Sequence, residues 1–171
     1  MTDTAAPTVE VYVSAGSNIR PEENLQLACR ELHADFGELS LSSVYRNPAV
    51  GFAGDDFLNM VIGFRTAADP AAVKARMEEV HALAKRQRQA DPFSPRTLDL
   101  DVLLYGDLVE QQLKLPHDDI EKYGFVLGPL AEIAPELRHP VSGKTIAELW
   151  SAFDNAAAPL TRVDCDFKLD A

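Results

Sequence analysis

Two carboxylates separated by a single residue, Asp99 and Asp101, stand in an apolar run from Thr97 to Tyr105 (TLDLDVLLY). In an extended strand successive side chains point to opposite faces, so these two share one face while Leu98, Leu100 and Val102 take the other. Like charges that close repel unless one keeps a proton or a cation sits between them, and hard oxygen donors suit magnesium. Magnesium uses one or two protein carboxylates and fills its shell with water and substrate phosphate, which matches the pair on offer. Alone, such a strand is more simply a sheet with one solvated face. The residues ahead of it shift the balance, because Lys85, Arg86, Arg88 and Arg96 fall within twelve positions. Guanidinium groups grip phosphate oxygens with forked, charge-assisted hydrogen bonds, and phosphoryl transfer needs positive charge on the transferred group. Neither a GxxxxGK[ST] loop nor the kinase glycine loop and DFG words occur, so nucleotide binding would use another architecture.

Bulk charge sharpens the contrast. The chain has 16 Lys+Arg against 27 Asp+Glu, a formal net charge of −11. A general nucleic-acid or anionic-membrane surface is thereby disfavoured, and the cations before Asp99 form a local island. The 171 residues, 46% hydrophobic and 25% charged, suit one globular domain over residues 1–171, with a core from about 9 to 153 and a polar tail from about 154 to 171. No membrane-length apolar run and no signal-peptide pattern appears, so a cytoplasmic protein is expected; a monomer is expected as well. Cys29 and Cys165 are far apart in unlike contexts and read as free thiols.

The elements that must position the carboxylates are legible from periodicity. Residues 9–15 alternate as a strand and end at the turn word Gly16-Ser17-Asn18. Pro21 to Phe36 repeats Leu25, Ala28, Leu32 and Phe36 at helical spacing and closes at Gly37. Residues 38–46 and 57–66 read as strands, and the long turn-rich stretch 47–56 between them reads as a binding loop. Asp69 and Pro70 start a second helix with Val73, Met77, Val80 and Ala84 on one stripe. Residues 86–96 form a loop before the carboxylate strand. The order strand, helix, strand, strand, helix, strand predicts an α+β fold with a ferredoxin-like βαββαβ core, an antiparallel sheet with helices packed on it. A short strand over 109–115 and helices over 125–133 and 145–153 extend it toward the C-terminus.

Several words then recur in a fixed order: Gly16-Ser17-Asn18, Ser43-Val44-Tyr45-Arg46-Asn47-Pro48, Phe57-Leu58-Asn59, Pro95-Arg96-Thr97-Leu98-Asp99-Leu100-Asp101, Leu115-Pro116-His117 and Gly124-Phe125-Val126-Leu127. From about residue 9 to residue 150 the chain resembles the 6-hydroxymethyl-7,8-dihydropterin pyrophosphokinases of folate biosynthesis. The resemblance implies diphosphate transfer from ATP to the pterin, with ATP and the pterin as small-molecule partners and neither nucleic acid nor membrane. It implies that Asp99 and Asp101 hold two magnesium ions and that Arg86 and Arg96 stabilise the transferring group. Arg88, Phe93, Arg96 and His117 would serve the nucleotide. Phe57 and Phe125 would sandwich the pterin ring, and Asn59 would read its edge with backbone groups near Asn47, Pro48 and Val50.

Residue types alone support part of this. Asn59 within an apolar strand is telling, since a buried amide costs roughly 2–7 kcal/mol without partners. Phe57 and Phe125 are by type as well explained by core packing, and His117 by a loop position. Four positions depart from the family pattern: His81 replaces the usual glutamate, Pro92 an arginine, Gln112 a basic contact and Tyr123 an arginine, and the loop from Gly51 to Phe57 is slightly short. These departures motivate an alternative, a non-catalytic pterin- or nucleotide-binding relative with a regulatory role. A ferredoxin-like RNA-binding module fits poorly, lacking the RNP1 word and the charge.

Overall fold

The computed structural model describes residues 7–48, 56–86, 98–154 and 160–167. Alternating valines make Val9–Ser17 a strand (β1), with Val11, Val13 and Ala15 buried. It outruns the turn word, since Gly16 and Ser17 still pair with Asn59 and Leu58. Helix α1 (Pro21–Phe36) opens on a proline, whose missing N–H is unneeded there, and stops at Gly37 with φ 80°, a backbone that favours glycine. It buries Leu25, Ala28, Cys29 and Leu32, and burial pushes the Cys29 thiol up to about 12, which makes it inert.

Residues 38–46, expected as one strand, form two pieces, β2 (Ser40–Leu41) and β3 (Val44–Asn47), both antiparallel to β4 (Phe57–Thr66). Leu41 faces Ile62 but Tyr45 faces Asn59, so an extra residue sits between them. Ser42 explains the break: its hydroxyl oxygen accepts the Val61 N–H at 2.8 Å, where a regular strand would offer a carbonyl. Helix α2 (Pro70–Arg86) is capped by Asp69, whose carboxylate accepts the Ala72 N–H at 2.8 Å, and it buries the expected stripe of Val73, Met77, Val80 and Ala84. Strand β5 spans Asp99–Tyr105.

Two expectations fail toward the C-terminus. Residues 109–115 do not form a strand; a 3-10 turn at Gln111–Leu113 joins Glu110 to Leu115, because the Glu110 carboxylate accepts the Gln112 N–H at 3.1 Å and folds the chain back. The segment read as a polar tail supplies β6 (Thr161–Val163), which pairs with β3, and Cys165 and Phe167 pack against the core. A three-residue strand is too short to show a period, and its pairing is set by the free edge of β3. Helices α3 (Asp119–Lys122), α4 (Gly124–Ile133) and α5 (Ile146–Ala152) complete the chain, with Thr145 and Glu148 forming a reciprocal cap on α5.

The sheet order is β5-β1-β4-β3-β6, with β2 beside β4 and every pairing antiparallel. This is the expected α+β arrangement of an antiparallel sheet with helices packed on it. On one face α1 and α2 meet Val11, Val13, Leu58, Met60, Ile62, Leu100 and Val102. On the other, α3, α4 and α5 meet Val61, Leu103 and Leu104. Each fully buried aliphatic side chain contributes about 1.5–3 kcal/mol, so the two layers carry the stability. Among the described residues no helix is long and apolar enough to cross a membrane.

Candidate active site

On the face packed by α3 to α5, the strands also carry polar residues in register. Asp99 pairs with Gly16, Gly16 with Asn59, and Asn59 with Tyr45, one row across β5, β1, β4 and β3. Neighbouring strands lie about 4.8 Å apart, so Asp99 and Asn59 stand roughly 10 Å from each other. Only hydrogen separates them, because the intervening residue is glycine. A Cβ on Gly16 would collide with Asn59 Oδ1, so the small residue preserves the amide's position.

At the β5 end the period-two expectation holds: Leu98, Leu100 and Val102 are buried in the α1–α2 layer and Asp99 and Asp101 share the opposite face. Burial first, and then the charge of Asp99, raise the Asp101 carboxyl above its ordinary value; Asp119 adds to this, while His117 and His81 oppose it. A carboxylate pair under such pressure is relieved by a cation. Oxygen donors on one face meet what magnesium asks of a protein, so the residues present fit that ion.

His117 lies beside this pair, since Asp101, His117 and Asp119 each place a ligand atom within 4.8 Å of the others. Its N–H donates to the Leu103 carbonyl at 2.9 Å, which ties the loop to β5. The Asp119 N–H donates to His117 Nδ1 at 3.1 Å. A ring nitrogen that accepts an N–H carries no proton, so the neutral imidazole holds its proton on Nε2. His117 is thereby a hydrogen-bond donor, better suited to a phosphate oxygen than to a metal. Asp119 was not anticipated, and the Leu115-Pro116-His117 word pointed only to its neighbour.

The other end of the row is built from amides. Asn59 Nδ2 donates to Asn47 Oδ1, and Asn47 Nδ2 donates to the Pro48 carbonyl at 3.0 Å; both side chains are buried. Phe57 pairs with Asn47 at the start of β4 and is half-buried. The short β3 is braced from α4: the Glu132 carboxylate accepts the Ser43 hydroxyl at 2.6 Å, the Ser43 N–H at 3.1 Å and the Tyr45 hydroxyl at 2.8 Å. Burial works upward on Glu132, but these hydrogen bonds outweigh it and hold the carboxyl below its ordinary value. No sequence signal joins residues so far apart.

Phe125 lies in the first turn of α4 and packs against the second layer, half-buried, and its ring stacks on Tyr123 with centroids 4.8 Å apart and planes 18° from parallel. Lys122 Nζ lies 5.3 Å from the Tyr123 ring centre. Tyr123, where an arginine was expected, thus backs the aromatic residue expected to clamp a ligand. Gln112 sits in the 3-10 turn with its N–H on Glu110. Arg86 closes α2 with its side chain outside the described residues, as are Val50, Arg88, Pro92, Phe93 and Arg96 entirely.

Residues 12–135 match the family model described as 7,8-dihydro-6-hydroxymethylpterin-pyrophosphokinase (HPPK). Similar proteins named 2-amino-4-hydroxy-6-hydroxymethyldihydropteridine pyrophosphokinase include that of Synechocystis sp., 39% identical over 85% of this chain and 76% of its own length. Those of Aquifex aeolicus (34% identical, 81% of this chain, 88% of that one) and Pseudomonas aeruginosa (35%, 83% and 90%) are comparable. In fold, the crystal structure of Plasmodium falciparum HPPK-DHPS wild type with pterin and p-hydroxybenzoate is similar over 87% of this chain, with a TM-score of 0.68 and 14% identity. This chain spans 44% of that longer one.

Proposed function

The chain belongs to the 7,8-dihydro-6-hydroxymethylpterin-pyrophosphokinase family, and from that premise we propose that it transfers the diphosphoryl group of ATP to 6-hydroxymethyl-7,8-dihydropterin in folate biosynthesis. The pterin hydroxyl oxygen bonds to the β-phosphorus, the bond from that phosphorus to the α-phosphate bridge breaks, AMP leaves with the bridging oxygen, and the hydroxyl proton is released. The observation that carries this reading is the row Asp99, Gly16, Asn59, Tyr45, with a carboxylate pair at one end and a paired-amide recognition site at the other. The relatives are named as pyrophosphokinases, which gives a non-catalytic reading no support.

Asn59 and Asn47 read the hydrogen-bonding edge of the pterin, and Pro48 and Val50 shape the backbone beside it. Phe57 and Phe125 flank the ring, since a flat heterocycle gains most from aromatic faces. Asp99 and Asp101 would hold magnesium, which would supply positive charge to offset that of the nucleotide phosphates. His117 Nε2–H donates to a phosphate oxygen. Arg86 and Arg96 carry the charge of the transferring group, and Arg88 and Phe93 hold the nucleotide. Rate enhancement on this account comes from alignment and electrostatics rather than from a general base. The protein acts as a monomer in the cytoplasm.

The test is AMP formation. Purified protein with ATP, magnesium and 6-hydroxymethyl-7,8-dihydropterin is expected to yield AMP and the pterin diphosphate in equal amounts, resolved by anion-exchange chromatography. ADP as the nucleotide product, or no turnover although both substrates bind, overturns the assignment.

A further inference from the structure

We propose that His81 is a positioning residue for the carboxylate strand, holding the backbone between Asp99 and Asp101 through the Leu100 N–H; the proposal rests on the assignment of those aspartates as the metal pair. Strand β5 is the last strand of the described sheet on that side, bonded to β1 along one margin only. On its outer margin the Leu100 N–H donates to His81 Nε2 at 2.7 Å. His81 projects from α2 beside the buried Val80 and Ala84, and its side chain is 21% exposed.

The contact fixes the ring. Nε2 accepts an N–H, so the proton of the neutral imidazole lies on Nδ1, which faces the Glu78 carboxylate at 3.4 Å. The hydrogen bond from the strand to His81 is of the kind by which an outer shell orients the ligands of a metal. Its target is the one residue that links both aspartates. Leu100 is itself anchored in the α1–α2 layer, so the side chain sets one coordinate of the strand and the hydrogen bond sets another. Without the acceptor, the outer margin of the strand loses this restraint, and the two carboxylates are held less tightly to a shared aim at one point.

His81→Gln places an amide oxygen near the position of Nε2, His81→Leu removes the acceptor at similar volume, and His81→Asn is polar but too short to reach. In metal-free protein, amide exchange at Leu100, followed by NMR, is expected to quicken roughly tenfold in His81→Leu and to stay near wild type in His81→Gln. Mn2+ affinity, measured by electron paramagnetic resonance with the non-hydrolysable α,β-methylene analogue of ATP, is expected to fall about 10- to 100-fold in His81→Leu, with a similar fall in kcat, and to be largely restored in His81→Gln. Pterin affinity by fluorescence stays unchanged in both. Equal impairment in the leucine and glutamine variants, unaltered Leu100 exchange, or a loss confined to pterin binding overturns the proposal. Should leucine prevent folding, the asparagine and glutamine pair makes the same distinction. A wild-type protein that makes no AMP defeats the assigned reaction instead, while Leu100 exchange and Mn2+ binding still decide the role of His81.

Discussion

The two faces of the sheet are made from the same three strands and carry opposite kinds of residue. Toward α1 and α2, strands β1, β4 and β5 offer Val11, Val13, Met60, Ile62, Leu100 and Val102, all buried. Toward the other face, the residues between them include Ser14, Gly16, Asn59, Asp99 and Asp101. A strand's period of two thus puts the core and the proposed site on opposite faces of single strands, and a change of one residue along β5 should switch whether stability or turnover suffers.

The largest effects should come from the polar face. Asp99→Ala or Asp101→Ala is expected to lower AMP formation on the order of 10²- to 10³-fold while the protein stays folded and still binds the pterin. Circular dichroism and pterin fluorescence check the second half, and unimpaired turnover in both variants would remove the metal assignment. On the apolar face Met60→Ala is expected to cost about 2–5 kcal/mol in chemical denaturation, by cavity formation, with near-normal kcat per folded molecule. A loss of kcat without loss of stability would blur the division between the faces.

Gly16→Ala lies on the boundary and is expected to weaken pterin binding about tenfold, or 1.4 kcal/mol, by displacing Asn59, with the nucleotide affinity less affected. Titration of the two ligands separately sharpens or refutes that split. Asp101 supplies a pH test with a definite sign. Its folded value is raised by burial and by Asp99, so the metal-free fold favours the protonated form and loses stability as pH rises through the raised value. Asp101→Asn is therefore expected to melt slightly higher than wild type at neutral pH without magnesium, and apparent magnesium affinity in wild type to fall as pH is lowered. The smallest effect, about 1 kcal/mol, belongs to Thr145→Ala, which removes the α5 cap far from the row.

The period of β1, the helical stripes of α1 and α2 and the Asp99–Asp101 face were legible because they depend on neighbours in the chain. Asn59 was legible as a polar residue out of place in an apolar strand. The break at Ser42, the Glu132 brace on β3 and the His81 contact to Leu100 were not, since each depends on which distant segments meet. Gly16 was misread as part of a turn for a related reason: glycine marks both turns and close approaches, and only the pairing with Asn59 and Asp99 tells them apart. The pairing of β6 was hidden by its brevity.

That brevity has a consequence for behaviour at high concentration. A sheet margin with open N–H and C=O groups invites other chains to add on, and nature often guards against it with very short outer strands. Among the described residues, β6 puts only Thr161–Val163 on one outer margin, over the β3 strand that carries Asn47. Strand β3 is thereby shielded from sticking to its counterparts, so one three-residue strap works against self-association.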